Sequence, residues 1–105
     1  MPFVETSTLR EIERLPGWRG RFFHSRQMTF AHYAFDKGAI REHHHAEEEV
    51  YEVIEGELEI AVDGETRIIR PGLIEIAPAN AKHSVKALTD GRAIIIDHPA
   101  QPKLG

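Results

Sequence analysis

Between residues 57 and 77 the chain reads ELEIAVDGETRIIRPGLIEIA, short alternating runs broken by Asp63-Gly64 and Pro71-Gly72. A period of two sends successive side chains to opposite faces of a strand. In the first run Leu58, Ile60 and Val62 point one way, and Glu57, Glu59 and Asp63 the other. Asp-Gly between two such runs signals a hairpin, because its tight turn needs left-handed backbone that these residues accept. The same grammar governs most of the chain after Gly17. RFFHSR, MTFAHYAF, VYEVIEG, HSVKAL and RAIII are strand-length runs, and Asp36-Lys37-Gly38, Pro78-Ala79-Asn80 and Asp90-Gly91 are stops. About eight or nine short strands at regular spacing predict an all-β sandwich or barrel. No glycine-rich phosphate loop is present, and no segment is a helix long enough for a βαβ crossover.

The first residues follow a different pattern. Thr8 with Glu11 forms a capping box, Leu9, Ile12 and Leu15 fall on one helical face, and Pro16-Gly17 would end the element. A short N-terminal helix is therefore expected, with a strand as the competing reading. A length of 105 residues bounds the chain to one domain. Residues 1–20 are read as a segment packing on the barrel or on a partner copy, 21–99 as the barrel, and 100–105 as a surface tail.

Composition removes several classes of function. The net charge is −4 with no basic patch, which argues against a nucleic-acid partner. There is no cysteine, so disulfides and thiolate-ligated metals are excluded. The apolar runs are too short to span a membrane. The opening residues lack a basic-then-apolar leader pattern, so a cytoplasmic location is expected.

Any metal must then be held by imidazole, carboxylate or water, and residues 43–49, HHHAEEE, offer both side-chain types. His43 and His45 are two apart, which in a strand puts them on one face about 6.6 Å apart. His44 points the other way. Glu49 stands four residues past His45, far enough for the chain to turn and start the next strand. His83 opens the strand HSVKAL, where a barrel could set it opposite the first pair. Three imidazoles and one carboxylate suit Fe, Mn, Ni or Zn. Around a six-coordinate ion they leave open positions for catalysis, and around tetrahedral zinc they could close a structural site.

Here the chain resembles the cupin family. The first cupin motif, a glycine, then His-x-His, Glu and a final glycine, is matched by Gly38, His43, His45, Glu49 and Gly56. The second is matched by Gly72, Pro78, Asn80 and His83. Four residues rather than five precede His43, Asn80 replaces a turn glycine, Ala87 replaces a terminal Asn, and Leu73 stands where many cupins carry Asp. The resemblance covers about residues 26–98. It implies a double-stranded β-helix (a jelly-roll barrel), a divalent transition metal on His43, His45, Glu49 and His83, a small-molecule ligand or substrate, and a homodimer. It is compatible with a dioxygenase-like or sugar-isomerase-like enzyme, with a non-catalytic binding or sensing module, or with a metal serving stability alone. The small pectin-degradation cupins are similar in length and layout, but they usually carry Gln at the position of Glu49. No catalytic side chains match in residues 92–102, so their activity is not carried over.

Glu49 and Tyr51 are the candidate catalytic groups; Tyr51 shares the parity of Glu49, and a core tyrosine is the alternative. His24 and His32 read as core or rim histidines, and His98 as surface or pocket rim. Phe30, Tyr33, Phe35, Ile60 and Ile76 are expected in the core, and Arg26 and Gln27 on a solvated edge.

Overall fold

The computed structural model describes residues 3–43 and 46–101, with His43 described by its backbone alone. Ten strands are present among the described residues: β1 (Glu11–Leu15), β2 (Trp18–His24), β3 (Thr29–Phe35), β4 (Ile40–His43), β5 (Glu48–Glu55), β6 (Leu58–Val62), β7 (Glu65–Ile69), β8 (Ile74–Ala77), β9 (His83–Ala87) and β10 (Gly91–His98). Every pair is antiparallel. One sheet runs β1-β2-β3-β10-β5-β8 and the other β4-β9-β6-β7. This is the expected all-β jelly roll.

The turns obey the local chemistry of their residues. Asp63 and Gly64, joining β6 to β7, have φ of 49° and 83°, the left-handed pair that a type I′ hairpin requires. Between the sheets lies a core that includes Trp18, Phe35, Leu58, Ile60, Val85 and Ile95. Trp18 and Phe35 are register partners on β2 and β3, with ring centroids 5.4 Å apart.

The N-terminal helix is not formed. Thr6–Thr8 is a single 3-10 turn, in which the Thr8 hydroxyl donates to the Glu5 carbonyl, and residues 11–15 pair with β2 as an edge strand. A helix this short is marginal alone, whereas the open edge of β2 offers a hydrogen-bond ladder at once. Pro16-Gly17 serves as the hairpin turn; Gly17 has φ 82°, and its N–H donates to the Glu13 carboxylate at 2.9 Å.

Ile76 is also not in the core. It is 56% exposed, and Ile74 beside it 60%, because β8 turns Glu75 and Ala77 inward. Ile76 ends a row of register partners across the outer face of the six-stranded sheet: Phe23, Phe30, Ile96, Val50 and Ile76. Phe30 accordingly is half-buried on that face, while Phe35 and Ile60 are fully buried as expected.

Candidate metal centre

The site is assembled from β4, β5 and β9. Antiparallel register sets His43 directly opposite His83. Glu49 enters from the other sheet, near the start of β5. Glu49 and His83 are both buried, and Oε1 of Glu49 lies 3.0 Å from Nε2 of His83. His45 lies outside the described residues, as does His44. Of the expected ligands, the structure therefore brings Glu49 and His83 together and places the His43 backbone beside them.

The turn before β9 sets the His83 ring. Asn80 has φ 65°, as the third residue of a type II turn closed by the Ala81 N–H on the Pro78 carbonyl at 3.0 Å. Asn accepts that conformation better than most residues, so it replaces glycine without loss of the turn. The Ala81 carbonyl then meets His83 Nδ1 at 3.1 Å. A carbonyl can only accept, so Nδ1 carries a proton, and Nε2 is the ring atom that faces Glu49. Nε2 and the carboxylate oxygen, 3.0 Å apart, can share either a ring proton or a cation between them. Adjacent donors around an octahedral ion with bonds of about 2.1 Å are separated by about 3.0 Å. The residues present thus fit a divalent cation. Among the described residues alone no group of three or more potential ligands is complete.

Further polar groups face this interior: Tyr51, a candidate by its parity with Glu49, and Arg41, Glu75 and Asp97, which the sequence does not mark. Arg41, two residues before His43, is 8% exposed, and its Nη2 stands 3.8 Å from Oε2 of Glu49. Its guanidinium lies over the rings of Tyr33, Trp18 and Tyr51, at 5.1, 5.5 and 5.8 Å from the centroids. Burial opposes its charge, but Tyr51 and Glu49 outweigh that and raise its pKa. Tyr51 is fully buried, edge-on to His83 at 6.4 Å between centroids. Burial foremost, with Glu49 adding to it, pushes its hydroxyl well above the ordinary phenol range. Glu75, the register partner of Tyr51 on β8, is half-buried; burial raises its pKa to about 7, with His83 opposing and Glu49 reinforcing. Asp97 on β10 is buried opposite Glu49. The signal was parity: Arg41 alternates with Glu42 toward the same face as residue 43.

The other histidines stand apart. His24 Nδ1 contacts the Thr29 hydroxyl at 2.8 Å, while its Nε2 is buried with no partner among the described residues. His32 and His98 are exposed, as are Arg26 and Gln27. No helix among the described residues is long and apolar enough to cross a membrane.

Two antiparallel sheets closing on an apolar core with a cluster of buried polar side chains at one end define a jelly-roll barrel. The model of the cupin domain matches residues 31–99, and the chain belongs to the cupin family. Among solved structures, an RmlC-like cupin from Shewanella frigidimarina NCIMB 400 superposes with a TM-score of 0.91 at 23% identity, over 100% of this chain and 96% of that one. KdgF from Halomonas sp. gives 0.89 at 24% identity, over 98% and 99%. Oxalate decarboxylase OxdC from Bacillus subtilis gives 0.79 at 20%, over 91% of this chain but 29% of that one. At these identities the likeness speaks for the fold. No curated protein sequence matches the chain.

Proposed function

We propose that the protein is a divalent-metal-dependent enzyme acting on a small molecule inside the barrel, with His43, His45, Glu49 and His83 as the ligands. The observation that carries this reading is the buried contact of Nε2 of His83 with the Glu49 carboxylate at 3.0 Å, two groups able to ligate a metal that face one point. The register of His43 opposite His83 supports a third imidazole there. A Mn(II)-containing oxalate decarboxylase shares the fold, which makes manganese one ion to try alongside iron, nickel and zinc. A bound cation supplies Lewis acidity toward a substrate oxygen.

The chain's own residues supply the rest. Tyr51 keeps its proton through the neutral range and can donate a hydrogen bond to that oxygen. Glu75, poised near neutrality, can both give and take a proton. This favours proton-transfer, isomerase-like chemistry over oxygen activation. The apolar row on the outer sheet face supports pairing of two copies there. The test is metal content by elemental analysis after loading and desalting. Wild type and His44→Ala should hold one equivalent, while His83→Ala and His43→Ala should hold little. Full retention by His83→Ala would overturn the assignment.

A further inference from the structure

The hydrogen-bonding accounts of the interior do not close around Arg41. Its Nη1 is buried with no partner among the described residues. The same holds for Nε1 of Trp18, while the Tyr51 hydroxyl interacts with Glu49. Arg41 and Trp18 are 8% and 1% exposed. The indole and the Tyr51 ring both lie beside the guanidinium, at 5.5 and 5.8 Å to their centroids. Indole and guanidinium nitrogens only donate. Buried donors are nearly always satisfied. Two buried donors on neighbouring side chains call for an acceptor that can serve both.

Charge gives the same answer. The fully buried Arg41, Glu49 and Asp97 carry one positive and two negative charges, and the half-buried Glu75 adds none while it holds its proton. A divalent cation would turn that net negative interior into one carrying a single positive charge. A monoanion then restores neutrality, whereas a phosphate dianion would overshoot. The guanidinium fork matches a carboxylate in shape as well.

We infer that Arg41, with Trp18 and Tyr51, forms a carboxylate-binding subsite beside the metal, so the molecule this barrel takes is a small carboxylic acid. The inference deepens the proposed function and rests on its metal. The chain's single tryptophan is Trp18, so one indole N–H resonance reports on the subsite directly.

The experiment titrates acetate, with acetamide as its neutral isostere, into the full-length zinc-loaded protein while the indole resonance is followed and zinc in the same sample is measured. Acetate should move the resonance downfield and saturably, and acetamide should not. Arg41→Lys, which keeps the charge but loses the fork, should weaken acetate by about ten- to a hundredfold. Zinc bound with no saturable acetate shift would overturn the subsite while leaving the metal reading intact. Equal acetate affinity in a folded Arg41→Lys would place the anion on the metal alone and overturn it too. A wild-type sample that takes up no zinc would bring down the metal reading and the subsite with it. Should Arg41→Lys fail to fold, zinc-loaded Tyr51→Phe takes its place: weaker acetate binding than wild type supports the subsite, and equal affinity overturns it.

Discussion

Nε2 of His83 and Oε1 of Glu49 approach to 3.0 Å from opposite sheets of the barrel, each side chain 2% exposed. The pair is also tied to Arg41 through the other carboxylate oxygen. Glu49 is thus the negative partner of a buried guanidinium as well as a proposed ligand. In chelator-treated protein, Glu49→Ala should lower stability by about 3 kcal/mol, since removing one member strands the other's charge. Urea unfolding checks this; a loss below about 1 kcal/mol would show that Arg41 does not depend on Glu49.

Glu75 predicts a pH dependence. Its folded pKa of about 7 lies above the ordinary carboxyl value of 4.5, so between those values the folded state holds the proton more tightly than the unfolded state. Its contribution to stability is therefore full below pH 4.5, falls as pH rises toward 7 and stays lost above. Because the group is half-exposed, the discounted effect is on the order of 1 kcal/mol. Metal-free Glu75→Gln should lose less stability than wild type between pH 5 and 8 by about that amount. Equal slopes in urea unfolding would contradict the raised pKa.

Gly38 and Gly56 both have φ of 89°, but their surroundings differ. A Cβ on Gly38 meets nothing within 4 Å, while one on Gly56 would lie 2.5 Å from the Asp90 carbonyl oxygen. Gly38→Ala should cost only the left-handed backbone, about 1 kcal/mol, and Gly56→Ala about 3 kcal/mol or more. Thermal unfolding of the two variants side by side would show it, and equal costs would mean that the turn after β5 yields easily.

The row from Phe23 to Ile76 leads to an expectation about assembly. Ile76→Lys puts a charge into its exposed end. Sedimentation should find wild type as a dimer and the variant shifted toward monomer, with the monomer's fold unchanged because Ile76 is not in the core. A variant that sediments like wild type would place the interface elsewhere.

Much of this architecture was legible in the sequence because it is local. Alternation fixed the strands, and Asp63-Gly64 and Asn80 carried the left-handed turns that appear at those positions. The meeting of Glu49 and His83, thirty-four residues apart, was legible only through the paired motifs. What stayed hidden depended on neighbours. Residues 11–15 became a strand because β2 offered an edge, which no helical pattern reveals. The rule that apolar side chains are buried points Ile76 inward. In β8 that rule inverts, since the interior is polar around the site and takes Glu75, while the outer face is apolar. Arg41 and Asp97 were hidden for the same reason, because charged residues are seldom fully buried.

Anomalous diffraction from crystals of the manganese- or zinc-loaded protein tests the central claim most directly. A single peak should lie about 2.0–2.3 Å from both Nε2 of His83 and a Glu49 carboxylate oxygen. A map with no peak there, and with those two atoms still 3.0 Å apart as a bare pair, would contradict the metal centre.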